Sequence, residues 1–437
     1  MTKNMRNFPF DPGRWPFFYG WVVLAFGTMG ILMSVPGQTV GVSVFTDYLI
    51  EALDIPRNLL SLAYLAGTIG SALMITRAGR FYDRHGARTM AALVSFGLGG
   101  VLVYLSFSDV ITSAVQRVMP FSGKAVIPFV IAALGFFLLR FLGQGSLTLA
   151  SRNMVMQWFE KRRGLANGVL GAAVSFGFSI SPRVLDELVQ RWTWQGAWRF
   201  LALVVGVGFA LIVIVFFRHR PEDHGLIPDG RELTASTRSH PETVAARSFT
   251  LPEARGTFTF WVFTLSLLIS GLLVTAFTFH VVSIFETSGL TRTQAVGIFL
   301  PASFVAVCSQ FTGSYLSDYI KLKYVLFVHL AGMALLALGI CTLGEGVPVL
   351  LVIAGMGISQ GLFGVNGNLT WARFFGRQYL GSVSGFAFAW LVAGTAVGPF
   401  LFSLSLERTG SYAWAALAVL VVVAILMIGA LKANRPE

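Results

Sequence analysis

Charged side chains are scarce in this 437-residue chain, at 12% of the sequence against 55% hydrophobic residues. A soluble domain carries about 25% charged residues, so about half of the usual charge is missing. This composition excludes a single soluble core and indicates a membrane protein. At about 20 residues per crossing, with short connections, the length accommodates about twelve to fourteen spanning helices.

Cysteine is also nearly absent. Cys308 and Cys341 both lie inside apolar runs and cannot build a disulfide framework. The sequence contains no metal-ligand cluster, no nucleophile paired with a base and no phosphate-binding loop. We therefore expect neither an enzyme nor a protein that binds a cofactor or a metal.

Long apolar runs recur along the whole chain. Each run is expected to be helical in lipid, because exposed strand edges cannot satisfy their backbone groups there. We predict an all-α membrane protein with twelve spans, numbered in chain order: 18–45, 58–78, 89–106, 126–150, 164–184, 197–217, 258–284, 294–316, 324–343, 348–371, 380–404 and 412–431. The polar segment 108–125, between spans three and four, is predicted to form a loop or a surface helix.

One long polar stretch divides the twelve spans into two sets of six. Residues 218–257 are rich in Pro, Asp, Glu, Ser and Thr, which is typical of a linker. We predict a cytoplasmic linker at 218–257 between two six-helix bundles, 1–217 and 258–437.

The two halves resemble each other in sequence. A shift of 235 residues aligns Asp83 with Asp318, and a shift of 216 residues aligns Gln144 with Gln360. Duplicated six-helix units are typical of many secondary transporters, whose substrate sites lie near the middle of the membrane. We therefore predict two pseudo-symmetric bundles.

The basic residues are concentrated in alternate connections. With the N-terminus in the cytoplasm, the inner segments contain far more Lys and Arg than the outer loops, as the positive-inside rule requires. The inner set includes Lys3, Arg6, Arg14, Arg77, Arg80, Arg84, Arg88, Lys161, Arg162 and Arg163. This pattern accounts for the net charge of +12 without a nucleic-acid partner. We expect both termini in the cytoplasm and, from the short outer loops, a plasma membrane such as a bacterial inner membrane.

A basic motif with a single acid follows span two. It is Gly79-Arg80-Phe81-Tyr82-Asp83-Arg84-His85-Gly86-Ala87-Arg88. Glycine allows helices to approach closely, and an acid can bind the N-terminus of a neighbouring helix. The pattern Gly-x-x-x-Asp-Arg-x-Gly-x-Arg resembles the loop motif of the major facilitator superfamily.

Further segments support this resemblance over essentially the whole chain. Arg140-Phe141-Leu142-Gly143-Gln144-Gly145 in span four is similar to a characteristic arginine motif of the superfamily. The segments that begin at Trp158 and at Arg220 resemble the branch that contains oxalate/formate antiporters and monocarboxylate transporters.

The resemblance implies alternating access with acids that bind helix N-termini. Asp83 would contact the start of span eleven, near Gly381 and Ser382, and Asp318 would contact the start of span five, near Gly164. Gly79, Arg84, Gly86 and Arg88 would shape the same motif. The alternative is that both acids only end helices.

Arg140 and His280 are the cationic and titratable side chains that we assign to membrane depth. A guanidinium there indicates an anionic substrate or a buried partner, because an isolated charge in lipid is costly. Its planar fork suits a carboxylate. The alternative is a structural or coupling arginine held by carbonyls. For His280, proton coupling and simple packing against a neighbouring helix are both open.

Other polar side chains in spans one and ten are candidate substrate contacts. They are Gln38, Thr39, Gln360, Asn366 and Asn368. Each of them could instead join two helices.

The middle of every span lacks Asp and Glu, which disfavours a cationic substrate. Our leading hypothesis is a secondary transporter of a small organic anion such as a monocarboxylate, driven by the substrate gradient or by protons. The alternatives are a multidrug or amphiphile exporter and a transporter-like membrane sensor. The expected partners are the small-molecule substrate and the bilayer, and no oligomer is required.

Overall fold

The computed structural model describes residues 9–118, 125–230, 245 and 247–436. Every regular element in these ranges is a helix. The chain divides into two compact units, one made of Met1–Trp158 and Ala173–Glu232 and the other of Phe159–Ala172 and Leu233–Glu437. The prediction of bundles at 1–217 and 258–437 with a linker between them remains a proposal.

The helices before the linker are α1 to α8. They are α1 Gly20–Met33, α2 Thr39–Leu53, α3 Arg57–Ser106, α4 Ser108–Val118, α5 Val126–Leu139, α6 Thr148–Trp158, α7 Arg163–Leu203 and α8 Ala210–Phe216. Wider π-helical turns join α5 to α6 at Arg140–Leu147 and α7 to α8 at Val204–Phe209.

The later helices are α9 to α16. They are α9 Leu251–Arg255, α10 Phe258–Thr287, α11 Arg292–Gly297, α12 Phe299–Ser317, α13 Leu322–Cys341, α14 Val347–Phe374, α15 Leu380–Thr409 and α16 Ala413–Lys432. Part of the predicted linker, residues 231–244 and 246, lies outside the described residues.

Nine helices in the described ranges are long and apolar enough to cross a membrane. Two of them are too long for one crossing: α3, and α7 continued through α8. At 1.5 Å per residue, α3 would be about 75 Å long, against an apolar bilayer core of about 30 Å. Non-helical residues break each of them, Gly86 in α3 and Trp192 with Thr193 in α7. Each therefore supplies two spans.

Span one is also broken, but in its middle. The predicted continuous run 18–45 is divided into α1 and α2 by a 3-10 turn at Val35–Gly37. With α1 and α2 as one interrupted crossing, the described residues contain twelve spans, as the sequence predicts. The segment 108–125 begins with α4, which at 11 residues is too short to cross. Residues 119–124 lie outside the described ranges.

Two corresponding pairs of spans pack in both halves. Spans two and four pack through α3 and α5, and spans eight and ten pack through α12 and α14. Spans three and six pack through the second half of α3 and α8, and spans nine and twelve pack through α13 and α16. This repetition agrees with two pseudo-symmetric bundles.

The motif Gly79–Arg88 joins spans two and three by a sharp turn at one residue, Gly86, and not by an extended loop. Helical backbone continues on both sides of Gly86, whose φ of 81° suits glycine. A Cβ at Gly86 would lie 3.2 Å from the ring of His219. The Ala87 amide donates to His219 Nδ1 at 3.3 Å, and Arg88 Nε donates to the Ile214 carbonyl at 2.7 Å. The turn is thus held against the end of α8.

The pKa of His219 follows from this packing. Burial and, to a lesser extent, the Arg220 cation lower the pKa of His219 to about 3. The ring is therefore neutral in the folded protein at physiological pH, as its acceptor role toward Ala87 requires.

Spans three and six approach each other closely at Gly99 and Gly206, so a larger side chain at this contact should destabilise the protein. A Cβ at Gly99 would lie 2.7 Å from Gly206 Cα. We expect Gly99→Ala to destabilise the protein by about 1–3 kcal/mol through overpacking, measured as a lower melting temperature in detergent. The control is Gly100→Ala, since a Cβ at Gly100 meets no atom within 4 Å. Equal melting temperatures for the two variants would contradict this packing.

His219 predicts a pH dependence. Because the folded pKa of about 3 lies below the ordinary value of 6.5, the unfolded state binds the proton first. The stabilisation by neutral His219 is complete above pH 6.5 and is lost as the pH falls toward 3, at about 1.4 kcal/mol per pH unit. We expect the melting-temperature advantage of the native protein over His219→Gln to shrink between pH 7.5 and pH 5. His85→Gln, which alters an exposed ring of the same motif, is the control; a constant advantage would exclude this role.

Candidate functional site

Arg140 lies where α5 ends and the π-helical turns Arg140–Leu147 begin. Its side chain is buried, with 2% of its surface exposed. π-Helical turns inside α-helices are frequent at functional sites. The same stretch contains Gly143, which lies against the break in span one.

The guanidinium of Arg140 is bound to the broken part of span one. Its Nη1 donates to the Gly37 carbonyl at 3.4 Å and to Thr39 Oγ1 at 3.2 Å. The guanidinium carbon lies 5.2 Å from the centre of the Tyr64 ring, a cation–π distance. Tyr64 in turn shares a hydrogen bond of 2.9 Å with Thr39.

Close packing of two glycines makes this contact possible. A Cβ on Gly37 would lie 2.8 Å from Gly143 Cα, and a Cβ on Gly143 would lie 2.8 Å from Gly37 Cα. The backbone of span one can therefore reach the π-helical turns and present its carbonyl to Arg140.

Gln38 joins the same break to the start of α6. Its Nε2 donates to Ser34 Oγ at 2.9 Å and to Thr148 Oγ1 at 3.2 Å, and these two hydroxyls lie 3.0 Å apart. The structure thus brings Arg140, Gln38 and Thr39 together around one helix break. Tyr64, Ser34 and Thr148 were missed by the sequence analysis; the only signal for Tyr64 was a phenol hydroxyl within an apolar span.

No carboxylate in the described part of the chain pairs with Arg140. In addition, its Nε is buried without a hydrogen-bond partner among the described residues. Carbonyl, hydroxyl and aromatic partners stabilise the cation but leave its charge unneutralised. The arrangement can attract and bind an anion.

His280 lies in the second unit and joins three helices. Its Nε2 lies 3.0 Å from the Pro399 carbonyl and 3.2 Å from Ser403 Oγ on α15. Its Nδ1 lies 3.4 Å from the Tyr412 hydroxyl, which also donates to Ser283 at 2.9 Å. These contacts match the packing alternative; the proton-coupling role stays a prediction.

The three polar side chains predicted in span ten have different surroundings. Gln360 is exposed. Asn366 donates to the carbonyl of Leu362 in its own helix, and its Oδ1 is buried without a partner among the described residues. Asn368 donates to Asn167 Oδ1 at 2.5 Å. Asn368 therefore joins two helices, the alternative that we left open for it.

Asp318 follows α12 and binds the start of α7. Its carboxylate accepts hydrogen bonds from the amides of Gly164 at 3.0 Å and Leu165 at 3.3 Å, a favourable position for an anion at a helix N-terminus. Burial raises the pKa of Asp318, while the Arg373 guanidinium and the two amides oppose that shift. The contact expected from the sequence is present, and its part in gating stays a prediction.

Arg373, which the sequence analysis missed, neutralises Asp318. It forms a buried ion pair with the Asp318 carboxylate and donates to the Ser317 carbonyl at 2.5 Å. Its sequence signal was an arginine two residues after the predicted end of span ten. A Cβ on Gly164 would lie 2.7 Å from Asp318 Oδ2, so only glycine allows this approach.

The motif around Asp83 lies in the first unit. Gly79 is buried, Arg84 is exposed, and Gly86 and Arg88 hold the turn against α8. The contact of Asp83 with span eleven stays a prediction.

Two further polar side chains were not singled out from the sequence. His329 is fully buried in α13, and Arg152 lies in α6. His329 lies inside predicted span nine, so our list of titratable side chains within the spans was incomplete.

Comparison with known proteins supports the fold. The model of the Major Facilitator Superfamily matches residues 22–399. The probable sulfoacetate transporter SauU of Cupriavidus necator is 22% identical over 386 residues, which cover 85% of this chain and 84% of that protein.

Solved transporter structures have the same fold. An outward-facing bacterial homologue of the iron transporter ferroportin matches with a TM-score of 0.67 at 16% identity, over 94% of this chain and 99% of that one. The E. coli fucose:proton symporter FucP matches with a TM-score of 0.61 at 14% identity, over 96% of this chain and 100% of that one. With twelve helical spans and a family match over most of its length, this chain belongs to the major facilitator superfamily and is a membrane transporter, not an enzyme.

Proposed function

We propose that this transporter moves a small organic anion by alternating access and that Arg140 binds the anionic group. The observation that carries the proposal is the buried guanidinium of Arg140, which has no carboxylate partner in the described part of the chain. A substrate carboxylate or sulfonate would neutralise this charge at membrane depth.

The local structure supports a site at this position. Interrupted helices at membrane depth are tolerated where the free backbone groups find partners or line a cavity. Here the interruption at Val35–Gly37 places a carbonyl, Gln38 and Thr39 beside Arg140. Sulfoacetate, named for the relative SauU, carries both a carboxylate and a sulfonate, so it is the first ligand to test.

The remaining candidate residues complete this proposal. Asp318 and Asp83 would alternately bind helix N-termini during gating. His280 would carry a coupling proton, and Asn366 and Gln360 would contact the substrate. We place the transporter in a plasma membrane with both termini in the cytoplasm, on the positive-inside pattern.

Ligand binding tests the role of Arg140. We expect sulfoacetate or a small mono- or dicarboxylate to raise the melting temperature of the purified protein by mass action. Arg140→Gln should weaken binding about tenfold to a hundredfold, because it removes charge-assisted hydrogen bonds of about 1.5–3 kcal/mol. Arg140→Lys keeps the charge and loses the planar guanidinium. Its affinity for the ligand should lie between those of the native protein and Arg140→Gln.

The matched control for this experiment is Arg183→Gln. Arg183 is an exposed arginine paired with Glu187 at 3.3 Å, and its loss should leave ligand binding unchanged. Undiminished binding by a folded Arg140→Gln protein would assign Arg140 the structural role instead. Stabilisation by lipophilic cations alone would favour the exporter alternative.

Transport kinetics test the role of Asp318. Asp318→Asn removes the ion pair with Arg373 and weakens the bonds to the amides of α7. We expect anion exchange to slow about tenfold while ligand affinity changes little, because charge-assisted hydrogen bonds of about 1.5–3 kcal/mol are lost away from the ligand. Exchange in reconstituted vesicles and thermal-shift titration measure the two quantities. Asp186→Asn is the control, and exchange equal to that of the native protein would leave Asp318 only a helix-ending role.

A further inference from the structure

The first three turns of α7 carry glycine on the face that meets α12. The glycines are Gly164, Gly168 and Gly171. A Cβ on Gly168 would lie 3.3 Å from Ser314 Cβ, and one on Gly171 would lie 2.7 Å from Gln310 Cδ. The backbone of α7 therefore lies directly against polar side chains of α12.

An asparagine between these glycines extends the polar contact to a third helix. Asn167 donates from Nδ2 to Ser314 Oγ on α12 at 3.1 Å, and its Oδ1 accepts from Asn368 Nδ2 on α14 at 2.5 Å. Gln310 donates to Ser314 at 3.4 Å. All four side chains are buried. We call Asn167, Ser314, Gln310 and Asn368 the amide cluster.

The amide oxygen of Gln310 lies close to another glycine, on α14. A Cβ on Gly364 of α14 would lie 2.8 Å from Gln310 Oε1. Glycines on both neighbouring helices thus make room for one polar side chain. At each of these positions, glycine lets a polar side chain reach the neighbouring helix.

Such a contact can open at small cost in free energy. A hydrogen bond between uncharged groups contributes little net stability when water can replace it, about 0.5–1.5 kcal/mol. Glycine in turn buries little apolar surface. The ion pair of Asp318 and Arg373 is different, because breaking it exposes two charges that need new partners. Two sets of bonds therefore hold the start of α7: the bonds of the Asp318 carboxylate, which is paired with Arg373, and the uncharged bonds of the amide cluster.

We propose that the amide cluster is an uncharged lock that holds the start of α7 against α12 and α14, and that Asn167 and Asn368 are positioning residues in the transport cycle. This inference rests on the proposed function, because it assigns the cluster to the step in which the transporter changes conformation. It also replaces the role expected for Asn368: this side chain binds Asn167 and not the substrate.

Hydrogen–deuterium exchange of the purified, ligand-free protein tests the lock directly. We expect Asn368→Ala to accelerate exchange of the backbone amides in residues 163–171 about fivefold, as loss of one buried hydrogen bond predicts. Thr370→Val is the matched control, because Thr370 is a buried neighbour on α14 that bonds only to its own helix, at the Asn366 carbonyl. Unchanged exchange in Asn368→Ala, or equal acceleration in Thr370→Val, would overturn the proposal.

A second variant, Asn167→Ala, allows the exchange experiment to be carried out even if Asn368→Ala does not fold. Asn167→Ala removes the other side of the same bond and also the bond to Ser314, so the double variant should accelerate exchange no more than Asn167→Ala alone. Additive effects would show that the two residues act separately and would contradict the lock.

Transport separates this inference from the proposed function. If an anion is carried, Asn368→Ala should alter the maximal rate severalfold and leave the KM within about twofold, because the lock touches no substrate. A raised KM at unchanged maximal rate would return Asn368 to the substrate site. If no anion is carried, the proposed function fails while the exchange result still decides whether the lock exists.

Discussion

A backbone polar group inside an apolar molecule costs free energy unless it forms a hydrogen bond. This requirement makes every regular element of the described residues a helix, since helices satisfy their own backbone groups. It also determines where the helices can break. The break at Val35–Gly37 lies where Arg140 takes a freed carbonyl, and the turn at Gly86 lies where His219 and Arg88 bind backbone groups.

Glycine determines which of these polar contacts can form. Gly37 lets span one reach the turns that carry Arg140, and Gly164 lets Asp318 reach the amides of α7. In membranes, helix association depends on close packing and interhelical hydrogen bonds more than on the hydrophobic effect. A small residue at the crossing point therefore stabilises both the packing and the polar bond beside it.

Arg140 and Asp318 are buried charges whose partners differ. Arg140 is bound only by neutral groups in the described part of the chain, so its charge is available to an anion. Asp318 is bound by Arg373 and by a helix N-terminus, so its charge is already compensated within the protein. Both are buried charges, and only their partners distinguish the roles that we propose for them.

The sequence by itself determined the class, the number of spans and the resemblance to the family, because low charge, apolar length and motif spacing are local properties of the chain. The approach of Asp318 to Gly164 was implied only by that resemblance. The resemblance to the branch of oxalate/formate antiporters and monocarboxylate transporters stays a prediction. Only the tertiary structure decided the partners of Arg140, the pairing of Arg373 with Asp318 and that of Asn368 with Asn167. These bonds join residues 55 to 201 positions apart, and a hydrogen bond depends on distances of a few ångströms that arise only when separate helices pack.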